Sequence, residues 1–263
     1  MNARTFLSGN TPGKLSSQSS KLGKAAIPAR SRRRYHDPDR LTSKKLSQKR
    51  AAVWLDPHEH DRLLRKQSLS EANQGNYADA IAGLTILIDR NPENATDYNN
   101  RGLVHYQCGQ LEAALEDYNQ AIELNPKLAS AYNNRANFYA TQGYLADAIA
   151  DYETAIDLDP TNVRAWINLG ITFRDLEMYG QAIENFEHAL QISQLLARDA
   201  EGNRELEAHI YASRGRAHHS AGDWNYAVSD YRRALDRLSM IELTPAFKRL
   251  QMQVLQGLQE LQA

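Results

Sequence analysis

Three small groups of residues in this 263-residue chain are of the types that do chemistry. His58-Glu59-His60-Asp61 gathers four side chains that ligate metals or move protons. On a helix, residues two apart point to different faces, whereas a two-histidine zinc site needs them at i and i+4. Glu59 is better placed to complete a capping box with Asp56, with Pro57 opening a helix near residue 57. His218 and His219 are adjacent and diverge in the same way, and His218 falls in a column of core residues. Cys108 is the one cysteine; it has His105 nearby but no neighbouring cation to make it a thiolate. It reads as a structural thiol, excludes an internal disulfide framework and fits a reducing compartment. No GxxxxGK[ST], GxGxxG or GxSxG motif is present. The chain is therefore expected to be no enzyme and to need no metal or cofactor.

Composition narrows the remaining work. Mean hydropathy is −0.62 and no apolar run approaches the roughly 18–20 residues of a membrane span. Residues 1–50 carry 13 Lys/Arg against 2 Asp/Glu, and residues 51–263 carry 18 against 30. A basic arm (net +11) thus precedes an acidic body (net −12). Residues 1–34 hold no acidic side chain, and their apolar residues have no period, so the arm cannot offset its ordering entropy and is expected to be disordered. It lacks the apolar core of a secretory signal. Three readings fit it. It is a solvated tail, or a tail docking on RNA, acidic lipid or an acidic protein through Arg30, Arg32, Arg33, Arg34, Lys44, Lys45, Lys49 and Arg50, or a cleaved transit peptide. The expected location is cytoplasmic, with the plastid stroma or the periphery of a membrane complex as the alternative.

The elements that position the body's side chains recur. Pro92, Pro126 and Pro160 are 34 apart, as are Gly75, Gly109 and Gly143, and Ala80, Ala114, Ala148 and Ala182. Tyr98, Tyr132 and Trp166 keep the same step, as do Tyr118, Tyr152 and Phe186, and Ala121, Ala155 and Ala189. Small residues at Gly102, Ala136, Gly170 and Gly215 let one helix lie close to its partner, and aromatics fill the volume between helices. Gly109 and Gly143 suit turns needing positive φ. Asn125-Pro126 and Asp159-Pro160 stop one unit before the next begins.

These columns resemble the tetratricopeptide repeat (TPR) pattern W-x2-L-G-x2-Y, A-x3-F, P. Trp166-x2-Leu169-Gly170-x2-Phe173 with Ala182-x3-Phe186 matches it most fully. The resemblance implies an all-α, right-handed solenoid of about five helix–turn–helix repeats. The boundaries expected are 61–94, 95–128, 129–162, 163–207 and 208–241, after an arm at 1–50 and within a solenoid domain at 51–241. The first repeat is degenerate, with Leu64, Leu84 and Ser68 off pattern. Thr244-Pro245 opens a solubilising cap at 242–263, with Phe247, Leu250, Val254, Leu258 and Leu261 on one face. Between Ala189 and Ala234 the spacing grows to 45. A lengthened second helix in repeat four, a turn near Gly202-Asn203 and an extended first helix in repeat five account for it. The extra residues are either a tolerated insertion or a partner-binding projection.

TPR proteins hold extended peptides or partner helices on the concave face made by the first helix of each repeat. The positions implied here are Asn99, Asn100 and Tyr106, then Asn133, Asn134 and Asn137, then Arg164, Asn168 and Arg174, then Arg216. Asn100, Asn134 and Asn168 share one repeat position and are expected to stack as an amide ladder, similar to that in the TPR domain of O-GlcNAc transferase. An amide offers donor and acceptor to a peptide backbone; bonds made only within the solenoid are the other reading. Arg164, Arg174 and Arg216, offset by Asp175, turn the groove cationic and favour an acidic or carboxylate-ended segment. The chaperone carboxylate clamp is not reproduced, because Leu69, Ser130 and Asn134 stand where Asn, Lys and Arg are required. No binding of a chaperone EEVD tail is expected.

The sequence thus points to a protein–protein adaptor or complex-assembly factor binding a segment in its groove. The alternative is a tether whose arm grips an anionic partner; contact with some six phosphates would give a slope of roughly −5 in log K against log salt. The Tyr-Asn-Asn-Arg style is similar to that of cyanobacterial and plastid TPR proteins, some of which assist photosystem assembly.

Overall fold

The computed structural model describes residues 56–196, 200–242 and 244–261; the arm and its expected disorder lie outside them. The described residues form helices with no strand. Five helix pairs follow one another: α1 (Pro57–Asn73) with α2 (Tyr77–Arg90), α3 (Ala95–Gln107) with α4 (Leu111–Leu124), α5 (Ala129–Thr141) with α6 (Leu145–Leu158), α7 (Val163–Asp175) with α8 (Tyr179–Leu196), and α9 (Ala200–Ala221) with α10 (Trp224–Ser239). A last helix, α11 (Pro245–Glu260), closes the series. Each first helix packs on its own partner, on the second helix before it and on the first helix of the next pair. Among the described residues, the second helices make no such contact with one another. The first helices therefore line the inner, concave side of an α-solenoid, and α11 packs on α9 and α10 as a sixth first helix would.

The core explains the 34-residue columns. Ala114, Ala148, Ala182 and Ala227 are completely buried, and Tyr118, Tyr152, Phe186 and Tyr231 are almost so. Each ring lies against the small residue of the facing helix. A Cβ added at Gly102 would come within 2.9 Å of Tyr118, and one at Gly170 within 2.9 Å of Phe186. In repeat three the equivalent position is Ala136, completely buried, and the equivalent ring is Tyr152.

Every first helix ends in the same turn. Gly109 N–H donates to the Tyr106 carbonyl (3.1 Å) and Gln110 N–H to the His105 carbonyl (2.9 Å), the two bonds of a Schellman motif. The left-handed residue is glycine at Gly75, Gly109, Gly143 and Gly222, with φ between 82° and 85°, but in the fourth repeat it is Glu177 at φ 61°. A side chain there meets its own backbone. Glu177→Gly is expected to stabilise the fold by about 1 kcal/mol, measurable as a shift of the urea midpoint at unchanged slope.

Three local details differ from the sequence reading. Asp56 precedes α1 as expected, with Pro57 in the first turn, but its side chain makes no cap bond, and Glu59 instead accepts from Arg62 (2.7 Å). The caps that form are Asn94, Asn162 and Thr244, accepting from the N–H groups of Thr96, Ala165 and Phe247. The lengthened α8 and α9 are present, but Gly202-Asn203, where a turn was expected, lies inside α9; residues 197–199 lie outside the described residues. Glycine costs little in a first helical turn, and Asn203 donates to Glu207 one turn on (3.0 Å), which favours helix there. The boundary expected at 207/208 consequently falls within α9.

Candidate functional site

The concave face is held in register by ion pairs that the sequence reading did not single out. Arg101 on α3 reaches Asp117 on α4 with two bonds (2.9 and 2.8 Å), and Arg135 reaches Asp151 from α5 to α6 (2.7 and 2.9 Å). Arg214 grips Asp230 in the same way (2.7 and 2.8 Å). Each arginine also lies over the ring of the tyrosine three residues before it, Tyr98, Tyr132 or Tyr211. In repeat four the arginine and aspartate are replaced together by Leu169 and Asn185, both buried. Two charges 16 apart, repeating every 34 and disappearing as a pair, are the signal that would have found this ladder. Between repeats, Arg65 binds Asp97, which is 1% exposed.

On this scaffold the predicted asparagines pair across repeats rather than stacking at one repeat position. Asn134 donates to Asn99 (3.0 Å), and Asn168 donates to Asn137 (2.8 Å), which also accepts from Tyr152 Oη (2.6 Å). Asn133 reaches Asn134 at 3.4 Å. Among the described residues, Asn100, Asn134 and Asn168 make no hydrogen bond to one another; Asn134 and Asn168 each spend a donor on an asparagine of the preceding repeat. The partners are offset from the equivalent position by one residue for Asn134 (Asn99 rather than Asn100) and by one turn for Asn168 (Asn137 rather than Asn134). Asn100 is half-buried.

Asn137 and Asn168 form the floor of a cavity of about 280 Å³, walled by Tyr106, Ala140, Thr141 and Ile171, with Asp175 at its edge. Tyr106 Oη donates to Thr141 (3.2 Å). One apolar or aromatic side chain fits this volume. In repeat two, Leu103 takes the place of Asn137, and Tyr118 Oη is left buried without a partner. Burial raises the Tyr118 and Tyr152 phenols above their ordinary pKa. Tyr152→Phe is therefore expected to cost about 1 kcal/mol, and Tyr118→Phe nothing or a slight gain, both read from denaturant midpoints.

Toward repeats four and five the face is cationic. Arg174 spends Nε and Nη2 on Asp175 (3.1 and 2.7 Å), and its Nη1 is buried and unpartnered. Arg216 makes only a long contact to Ser213 (3.4 Å), and its Nε is likewise buried and unpartnered. Burial, and then the like charge of Arg174, push the Arg216 guanidinium below its ordinary pKa. Arg164 is exposed at the same end.

The groups first considered for catalysis are engaged elsewhere. His60 Nδ1 lies 3.0 Å from Arg90, which pairs with Asp61 (2.6 Å). Cys108 Sγ donates to the His105 carbonyl (3.3 Å). His218 is buried, stacked on Tyr226 and 3.3 Å from Asp223, as its core column implied. No helix of the described residues is long and apolar enough to cross a membrane.

Comparison with known proteins agrees with this architecture. A family model described as TPR repeat matches residues 102–143, and one described as tetratricopeptide repeat matches 127–195 and 161–239. Together they span more than half of the chain. Among solved structures, the type IV pilus biogenesis factor PilW superposes with a TM-score of 0.63 at 18% identity, covering 78% of this chain and 88% of its own. A thermophilic TPR protein of Thermus thermophilus gives 0.58 at 16% identity, covering 75% and 98%. MamA gives 0.54 at 20% identity, covering 66% and 95%. At these identities the likeness is one of fold. No curated protein matches the sequence.

Proposed function

The chain belongs to the tetratricopeptide repeat family, and we propose that it is a non-catalytic adaptor or assembly factor that holds a segment of a partner protein in its concave groove. The observation that carries this reading is the placement of unspent binding capacity. Of the four buried side-chain polar atoms left without a partner among the described residues, three belong to Asn133, Arg174 and Arg216 on the concave helices. Polar groups in a folded core normally find partners. They share the first helices with a cavity sized for one side chain, lined by Asn137, Asn168 and Ile171 among others, and with amides suited to a peptide backbone. The proposed contacts are Asn99, Tyr106, Asn133, Asn134, Asn137, Asn168, Arg164, Arg174 and Arg216, with Asn100 at the rim. Asn99 and Asn134 act mainly by fixing one another.

Quantitative co-purification from the native host tests the reading. Three full-length forms are compared: wild type, Ala140→Arg to fill the cavity, and a form with Arg30, Arg32, Arg33 and Arg34 changed to Ser. Groove binding predicts that partners are lost with Ala140→Arg and kept with the arm variant. The opposite pattern would move the function to the arm and an anionic partner.

A further inference from the structure

We infer that the rim of the solenoid formed by the turns of repeats three to five docks a protein segment in which Arg or Lys side chains alternate with apolar ones. Tyr144, Leu176, Met178, Trp224 and Tyr226 lie in these three turns and are between 39% and 67% exposed. None is among the proposed groove contacts. The turns are neighbours, because α5, α7 and α9 pack in succession and each ends in the same pair of backbone bonds, donated by Gly143 and Tyr144, Glu177 and Met178, or Gly222 and Asp223. Two of the rings are held in place, Tyr144 edge-on to Tyr139 and Tyr226 stacked on His218. The fold does not require large apolar side chains here. Asn76 and Gln110 take the position of Tyr144 and Met178 in the first two repeats. Trp224 is exposed where Tyr77, Leu111, Leu145 and Tyr179 are half-buried. Exposed apolar side chains gathered on one edge mark a surface that a partner covers.

The charge of the rim selects the occupant. Residues 141–147, 175–181 and 220–226 contain Asp147, Asp175, Glu177 and Asp223 and no Lys or Arg. Arg174 meets Asp175 and His218 lies 3.3 Å from Asp223, whereas Asp147 and Glu177 have no such partner among the described residues. Glu177 is the residue held at φ 61° where the other four turns use glycine, so a strained carboxylate is kept in the middle turn of the rim. Such a surface repels anionic lipid and nucleic acid. A cation set between carboxylates and open aromatic faces gains from both, and apolar neighbours in the same segment cover Leu176 and Met178.

The test titrates the full-length protein with a short synthetic peptide alternating Arg and Leu, with the same peptide carrying Glu in place of Arg, and with phosphatidylglycerol vesicles. Binding of the Arg-Leu peptide alone is expected. Trp224→Ser should weaken it at least about tenfold, and so should Tyr144→Asn/Met178→Gln, which takes residue types from the first two repeats. Both variants should keep the wild-type melting point, since the side chains removed are exposed. Glu177→Gly should weaken binding about threefold while raising the urea midpoint, a combination that a purely structural role does not produce. Ala140→Arg, which fills the groove cavity, and Glu116→Gln/Glu153→Gln, which removes two carboxylates from the second helices, should leave the affinity unchanged. Binding of the Glu-Leu peptide or the vesicles as tight as that of the Arg-Leu peptide would overturn the assignment. So would unchanged affinity in Trp224→Ser or Glu177→Gly, or a loss in either control as large as in Trp224→Ser. Loss of a native partner with Ala140→Arg, with peptide binding at the rim intact, would show that the two surfaces are separate.

Discussion

Replacing Asp117 with Ala is expected to cost about 3 kcal/mol, although alanine is a better helix former than aspartate. The carboxylate is 5% exposed and makes two short bonds to Arg101. Removing it leaves a guanidinium in a protein environment with Thr85 as its remaining polar contact (3.1 Å) and the Tyr98 ring beside it. The low end of the range for a broken buried pair applies, because the Arg101 side chain is still 20% exposed. The decisive comparison is the double variant Arg101→Leu/Asp117→Asn, which copies the Leu169 and Asn185 of repeat four. There Leu169 is 3% exposed and Asn185 donates to the Gln181 carbonyl (2.7 Å). The double variant should lie within about 1 kcal/mol of wild type, since an apolar isostere replaces a buried pair at little cost. Urea titrations of the single and double variants check this; equal losses in both would show that the ladder is not a substitutable unit.

The second large effect is at Gly257, in the last turn of α11. Propensity alone predicts that Gly257→Leu stabilises the helix by roughly 0.8 kcal/mol. Packing predicts the reverse. A Cβ at Gly257 would lie 2.8 Å from Cε2 and Cζ of Tyr231, and a Cβ at Gly215 would lie 2.8 Å from Cδ1 on the other edge of the same ring. Tyr231 is 1% exposed and is approached closely by both glycines, so it has little room to yield. The net loss should be about 3 kcal/mol, at the upper end for overpacking, or the cap should leave its seat and uncover Leu238 and Tyr231. Gly180→Ala on α8 is the matched control. Nothing lies within 4 Å of its Cβ, so the substitution should stabilise by about 0.5 kcal/mol. Melting curves with a dye that binds apolar surface report both.

Much of this architecture was legible in the sequence because repeats average out local ambiguity. Gly102, Ala136, Gly170 and Gly215 announced the close helix contacts, and Gly109 and Gly143 announced the turns, whose φ of 82° only glycine adopts easily. What was hidden depended on pairs rather than columns. Arg101 and Asp117 were each visible as polar residues, but their partnership needed the 16-residue offset to be compared between repeats. Gly202 was read as a turn, although it lies inside α9, because a glycine near a helix start resembles a glycine in a loop. The pairing of the asparagines with one another was not legible either. Sequence period aligns Asn134 with Asn100, whereas the offset between adjacent helices brings Asn99 to it. Arg216 was read as a groove cation from its repeat position, but that it lacks a counter-charge is a property of three dimensions.

The measurement that most directly tests the central claim places a photo-crosslinking amino acid at four sites of the full-length protein in its native host. Thr141 and Ile171 lie at the groove cavity; Glu116 and Glu153 are exposed on second helices, α4 and α6. The account predicts that Thr141 and Ile171 crosslink to the same segment of the same partner, that this segment contains an Asp or Glu, and that Glu116 and Glu153 do not reach it. Crosslinks to the partner from Glu116 and Glu153 with none from Thr141 and Ile171 would contradict the groove as the binding surface.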